Sequence, residues 1–317
     1  MRGPTVEGTG EEADGPGRVQ AVVTEARSAA ERLSERDAAA TGRVVEAVAG
    51  RLADREMVSR LAGAAANETG RGHPGSKLEK IATAVDGARA RLRNAPTAGP
   101  VERDAQRREL TVAHPVGVVG VTVPATHPVV VPAVTALFAL AGRNAVVFAP
   151  SPSTVETCDM VVEAVRRAIE EVGAPTAAVS MLPAPASKPD TDSLFERVDL
   201  AVGSGSETTV AAGQRCGTPN LCAGADGLVA VSDGSASTAA VATRVAVGAT
   251  YDFGAHPAAE AALVAISPAV EDLIGALEDE GGYRLDDRER DRLRDGLDGG
   301  AGGWETPRGN SPRWFTS

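Results

Sequence analysis

A near-continuous apolar run from Val116 to Val123, stopping at Pro124, restricts the fold more than any other stretch of the chain. A strand without polar alternation is buried on both faces, as the inner strands of a parallel sheet are. Pro124-Ala-Thr-His-Pro128 then makes a short rigid connection. The apolar segment after it carries Pro132, which a helix tolerates only in its first turn. Gly142 ends that helix and Asn144 to Ala149 reads as the next strand, so strand, loop, helix and strand fit the size of a βαβ unit. Ligands of such sheets lie at the carboxyl ends of the strands. Pro124 to His127 and Pro150 to Ser153 are therefore expected side by side at one site.

The stretches on either side extend the pattern. Residues 1–16 have no apolar period and are expected to be disordered. Val19, Val22, Val23, Ala26, Ala30 and Leu33 recur at helical spacing, as do Val44, Val45, Val48 and Leu52. Two more helices are expected from Met57 to Gly70 and from about Ser76 to Asn94. The sheet is expected to begin near Arg108. Beyond the βαβ unit come a helix from about Pro152 with the stripe Val155, Cys158, Val162, Val165, Ile169 and Val172, then a strand from Thr176 to Leu182. A short helix from Ser193 to Arg197, a strand from Val198 to Val202, a helix from Thr208 to Gln214 and a strand from Thr218 to Leu221 follow. This alternation predicts an α/β fold with a doubly wound parallel sheet. A strand from Leu228 to Val231 closes this first alternation, and a second then starts with a helix from Ser237 to about Ala249, a strand from Ala261 to Ile266 and a helix from Val270 to Glu280. It ends in a charged helix, Asp286 to Leu297, whose acids and arginines read as a solvated face.

The totals exclude several functions. A net charge of −11 over 317 residues repels nucleic acid and anionic membrane. No apolar run approaches the roughly 20 residues of a membrane span, and nothing resembles a signal peptide, so a cytoplasmic location is expected. Aromatic residues make up 3% of the chain, leaving Val, Ala and Leu to build the core. The only lysines are Lys77, Lys80 and Lys188, which reads as compositional bias with no function attached. Cys158, Cys216 and Cys222 are too few and too irregular for a disulfide framework or a zinc site.

Gly203-Ser-Gly205 follows a strand and precedes a helix, where backbone amides and the helix dipole favour phosphate. The third glycine of the dinucleotide fingerprint is absent, so a ligand-free β-to-α turn stays open as the other reading. All four histidines (His73, His114, His127 and His256) precede proline, which pushes them toward extended conformations and away from a helical metal-binding pair. No metal site is expected. His127 lies in the expected site, either as a ligand contact or as a local structural bond. Cys158 falls in its helix stripe as a small buried hydrophobe, while Cys216 and Cys222 bracket a loop near a helix end, as packed thiols or as a thiolate nucleophile.

The motifs PVGVVGVTVPATHP, GRNAVVFAPSP, EVGAP, Gly203-Ser-Gly205, Gly217-Thr-Pro219 and Thr250-Tyr-Asp occur in one order and spacing. In that set, and in Asn67-Glu-Thr-Gly70 before it, the chain resembles the aldehyde dehydrogenase superfamily from about residue 17 to 297. More narrowly it is similar to the acylating, coenzyme A-dependent branch, including the aldehyde dehydrogenase half of bifunctional aldehyde-alcohol dehydrogenases. The resemblance implies N-terminal helices packed on a Rossmann-like NAD(P)-binding sheet over residues 17–227, a partial, truncated α/β catalytic domain over 228–297 and a flexible tail over 298–317. It implies a cysteine thiolate that attacks an aldehyde, hydride transfer to NAD or NADP, and coenzyme A as the acceptor of the thioester. Carried onto this chain, Pro124, Ala125 and Thr126 lie along the nicotinamide, with Thr126 on the oxyanion side. Pro150 and Ser151 border the adenosine ribose, and Gly203, Ser204 and Gly205 border the pyrophosphate.

Two departures accompany the resemblance. The family has Phe-Asp-Asn-Gly, two residues, then the nucleophilic cysteine; this chain has Tyr251-Asp-Phe-Gly254, Ala255-His256, then Pro257. Loss of a covalent nucleophile costs on the order of 10⁶ in rate. Cys222 aligns near the position of a catalytic glutamate in hydrolytic relatives and is the one substitute thiol the resemblance offers. The family's catalytic domain also runs past residue 317, and Gly309-Asn-Ser-Pro-Arg-Trp314 is similar to the entry of its next segment, which implies an interrupted coding sequence. Two functions are therefore expected: an acylating aldehyde dehydrogenase, or a catalytically inactive nucleotide-binding or regulatory subunit. The first takes a small-molecule aldehyde and is expected as a homo-oligomer; the second pairs with a full-length relative.

Overall fold

The computed structural model describes residues 15–224 and 227–298. The leader and tail expected at the two ends lie outside the described residues, except that Gly15 and Pro16 open the first helix and Asp298 closes the last. Four helices come first: α1 (Gly15–Ser34), α2 (Ala38–Leu52), α3 (Arg55–Thr69) and α4 (Pro74–Leu92). Their boundaries follow local chemistry. The Asp37 carboxylate accepts the Ala40 amide, the Asp54 carboxylate accepts the Met57 amide, and Gly70 ends α3 in a left-handed conformation. The His73 ring accepts the Ser76 amide at the start of α4, with Pro74 in its first turn.

The sheet does not begin near Arg108. β1 (Gly99–Asp104) and β2 (Glu109–Ala113) pair with each other as an antiparallel ribbon, exposed along nearly its whole length. The ribbon is not hydrogen-bonded to the parallel sheet, and its apolar residues Val101, Leu110 and Val112 stay exposed. The parallel sheet starts with β3 (Val118–Val123) and continues through α5 (Val130–Ala141), β4 (Ala145–Pro150), α6 (Val155–Glu171), β5 (Val179–Met181), α7 (Lys188–Arg197), β6 (Leu200–Gly205), α8 (Glu207–Arg215) and β7 (Asn220–Gly224). Its strand order is β5-β4-β3-β6-β7, all parallel.

Four expected segments shift, the strand expected from Thr218 to Leu221 becoming β7, which starts at Asn220 and runs to Gly224. Thr176 to Ala178 form a 3₁₀ turn, so β5 is shorter than the expected strand. β6 begins at Leu200, after Val198 has closed α7. The short helix from Ser193 is instead ten residues long. Ser187 and Asp190 cap each other's backbone amides, and Pro189 fits the first turn, so α7 starts at Lys188.

The chain doubles back at β3. α5 and α6 cover one face of β3–β5, with α2 packed outside them; α1 and α7 cover the other face. β4 is buried along its whole length and β3 nearly so, which the apolar runs demanded. Helices α1 to α4 contribute Val23, Leu33, Val48, Leu52, Leu61 and Ile81 to the same core as Phe148, Val162, Ile169 and Phe195. That core reaches Ala212 and includes nothing beyond β7. The remaining elements are β8 (Leu228–Ser232), α9 (Thr238–Thr250), β9 (Glu260–Ala265), α10 (Val270–Asp279) and α11 (Asp287–Asp298). β8 and β9 pair parallel in a sheet of their own. Among the described residues no helix is long and apolar enough to cross a membrane.

Candidate cofactor site

The winding reverses between β3 and β6, and at such a switch point the loops from the two strands diverge and leave a crevice. The segments singled out from the sequence meet there. Val123 is in register with Pro150, and the Ser151 amide donates to the Val123 carbonyl at 3.1 Å. The Ser204 amide donates to Thr122 Oγ1 at 3.3 Å, which ties the end of β6 to β3. Gly205, with φ of +129°, lies beside Pro124: a Cβ on it would come 3.8 Å from the proline Cβ. Gly203 is required by packing instead, since a Cβ there would stand 2.8 Å from Cys222 Sγ and 3.1 Å from Thr209 Cγ2.

Two helices start at this edge after β4 and β6, and they are finished differently. Glu68, from the end of α3, accepts the amides of Glu156 and Thr157 at 2.8 Å each and the Thr157 hydroxyl, so its carboxylate closes the N-terminus of α6. The N-terminus of α8 has no side-chain cap. Ser206 at its head exchanges hydrogen bonds with the hydroxyls of Thr208 (2.7 Å) and Thr209 (3.3 Å), leaving a polar rim around the first turn. A phosphate brought to this edge therefore finds amides and a positive dipole end at α8 and a carboxylate at α6. Ser151 and Thr154, bonded through their hydroxyls at 3.1 Å, line the approach between β4 and α6.

The loop of residues 124–128 faces the turn that follows α9. Thr126 Oγ1 and His127 Nδ1 are 3.1 Å apart, and the buried His127 ring meets the His256 ring edge-on at a centroid distance of 5.6 Å. The Tyr251 ring meets His256 from another side, also at 5.6 Å. The Ala258 amide donates to His256 Nδ1 at 3.0 Å, and burial, then Lys80, hold this imidazole below its ordinary pKa of 6.5 while Asp252 opposes them. Pro257 is exposed at the next position.

Beneath this turn lies a buried charge cluster that sequence reasoning missed. Asp252 has a side chain 0% exposed; Lys80 (7%) donates to its Oδ2 at 2.6 Å, and Lys77 (2%) stands 3.7 Å from the same oxygen. The His73 amide donates to Oδ1 at 2.8 Å, and Lys80 Nζ also reaches the Thr126 carbonyl at 3.3 Å. Burial is the main force lowering the Lys77 pKa, with Asp252 pulling the other way. The cavity where α4 meets the 124–128 loop measures about 10 Å³, space for one water and no ligand, so the loop is packed onto this cluster. The sequence signal was lysine spacing: two of three lysines fall three residues apart on α4, on the face that also buries Ile81.

The thiols lie elsewhere. Cys158 is fully buried on α6 and burial drives its pKa far up. Cys222 Sγ lodges between Gly203 and Gly213, where an added Cβ would come within 2.8 and 2.2 Å, and burial raises its pKa as well. Cys216 donates to the Gly213 carbonyl at 3.0 Å. Among the described residues no three His, Cys, Asp or Glu side chains gather as a metal site.

This architecture has known relatives. The acetylating aldehyde dehydrogenase of Geobacillus thermoglucosidasius superposes with a TM-score of 0.83 at 27% identity, covering 91% of this chain and 64% of that one. An engineered glycolyl-CoA reductase with bound NADP+ superposes at 0.77 and 23% identity, over 88% of this chain and 63% of its own. The sulfoacetaldehyde dehydrogenase (acylating) of Cupriavidus necator is 33% identical over 276 residues, which are 87% of this chain and 56% of the relative. The chain thus spans about half the length of the curated relatives it matches. The sequence model of the aldehyde dehydrogenase family matches residues 9–216, which hold the helical layer, the whole β3–β6 crevice and α8. On that match, and on the shared fold around the same crevice, the chain belongs to the aldehyde dehydrogenase family.

Proposed function

We propose that the chain binds a nicotinamide dinucleotide across the β3–β6 crevice and does so without thiolate chemistry. The observation that carries this reading is the uncapped N-terminus of α8 at the switch point, beside an α6 whose own N-terminus Glu68 has closed. Gly203, Ser204 and Gly205 with the first turn of α8 then hold the pyrophosphate, and Pro150 and Ser151 border the adenosine ribose. Pro124, Ala125 and Thr126 flank the nicotinamide, with Thr126 on the oxyanion side. When bound, the cofactor supplies a hydride acceptor. Pro257, at the place of the family's nucleophilic cysteine, has no lone pair or proton to offer a carbonyl. Cys222 is packed between two glycines with its thiol held protonated, a poor substitute.

Titration of the full chain with NADH and NADPH, followed by an aldehyde and coenzyme A with the oxidised cofactors, tests this. The expected result is saturable binding with no reduced cofactor formed. Absence of binding to either cofactor would end the proposal. A second reading, an acylating dehydrogenase, is favoured by the 33% identity to a sulfoacetaldehyde dehydrogenase (acylating). It requires reduced cofactor and acyl-coenzyme A in equal amounts, with sulfoacetaldehyde as the first aldehyde to try. A rate unchanged in Cys222→Ser would remove Cys222 from that chemistry.

A further inference from the structure

The turn 251–254 is held in a conformation its residues resist. Asp252 and Phe253 have φ of +53° and +54°, and Gly254 follows at +71°. Left-handed backbone at a non-glycine residue costs on the order of 1–3 kcal/mol, and persists only where the surroundings over-determine it. Here they do. The Asp252 carboxylate is taken by the His73 amide and Lys80, and the Tyr251 hydroxyl donates to the Ser76 carbonyl at 3.2 Å, so every one of these partners lies at the start of α4. Gly72 leaves the necessary room, since a Cβ there would stand 2.2 Å from Asp252 Oδ1.

Lys80 does more than neutralise this carboxylate. Its second hydrogen bond goes to the Thr126 carbonyl, in the loop that flanks the nicotinamide in the function proposed above. One ammonium thus fastens the 124–128 loop and the 251–257 turn to the same point of α4. The His127–His256 edge contact is another place where loop and turn meet. A buried ion pair is weak evidence for stability, because apolar side chains of similar volume often serve as well or better. Lys80 instead sets a distance between two site segments, and an ammonium with two acceptors sets it in a way an alkyl chain cannot.

We propose that Lys80 is a positioning residue for the nicotinamide half of the bound dinucleotide, acting through the Thr126 carbonyl and Asp252. This inference rests on the cofactor reading above. It separates the two halves of the ligand: the pyrophosphate and adenosine contacts lie on α8, β6 and Ser151, away from Lys80, whereas the nicotinamide contacts lie on the loop it holds.

The test compares NADH with ADP-ribose, which lacks the nicotinamide, on the full-length chain. Lys80→Met is expected to weaken NADH about tenfold while ADP-ribose affinity stays within about twofold, and to shift bound-NADH fluorescence toward that of the free cofactor. Lys80→Arg, which keeps a donor for both acceptors, is expected to restore most of the loss. Should Lys80→Met unfold, the triple variant Lys77→Met, Lys80→Met, Asp252→Asn removes all three buried charges and is read for the same ratio. Equal weakening of both ligands, or of neither, overturns the positioning role and leaves the cofactor reading standing. If the unaltered chain binds neither ligand, the cofactor reading fails first and the inference with it.

Discussion

The two α/β units of this chain are built from similar elements and buried very differently. In the unit of residues 15–224, β3 and β4 are sealed between helical layers, and the core runs continuously from Val19 to Ala212. In residues 228–298, β8 and β9 leave Leu228, Val229, Val231 and Val264 exposed, as is Ile266 just after β9. Only Ala242, Asp252, Ala255, Ala259 and Leu273 are buried among the side chains described there. This unit therefore buries little apolar surface of its own. Yet this second unit carries the best-buried carboxylate among the described residues, and that carboxylate is spent on the first unit's α4. One unit is held by apolar volume; the other is fastened by a few polar bonds of fixed geometry.

The contrast is sharpest for equivalent strand positions. Phe148→Ala on β4 (0% exposed) is expected to cost about 3–5 kcal/mol in urea denaturation, whereas Val231→Ala on β8 (75% exposed) stays within about 0.5 kcal/mol. Comparable losses would erase the distinction. Next in size, Asp252→Ala strands two buried ammonium groups and is expected to cost about 3 kcal/mol. Limited proteolysis should then cut first within 228–298 while the parallel sheet stays protected; uniform cleavage would show that the units unfold together.

The smallest expected effect is a pH dependence of the loop-to-turn contact. Burial, with Lys80 adding to it, depresses the His256 pKa below 6.5, so the unfolded chain binds this proton more readily than the folded one. Stability from this group therefore rises with pH between the depressed value and 6.5, levels off above it, and is lost in acid. His256→Gln should flatten that slope in thermal melts from pH 5 to 8, and an unchanged slope would place its origin elsewhere.

How much could be read in advance varies with the range of the interaction. The βαβ unit, the switch-point loops and the α3 end at Gly70 are written in contiguous residues, because apolar period, proline and glycine act within a few positions. The start of α7 was legible too, in Ser187 and Asp190, had the capping pair been weighed above the apolar count. Glu68 was noticed only within Asn67-Glu-Thr-Gly70, with nothing to say that its carboxylate closes a helix 88 residues away.

Taken by itself, the sequence determined the parallel sheet, its crevice and the absence of a cysteine at position 257. Tertiary structure alone decided that Lys77 and Lys80 are buried, that α8 rather than α6 has an uncapped N-terminus, and that Cys222 is locked between glycines. The physical reason is common to all three. An apolar run carries its own tendency to be buried, met in β3 and β4 and left unmet in β8, but the burial of a charge depends on a partner. For Lys80 that partner, Asp252, lies 172 residues further along the chain.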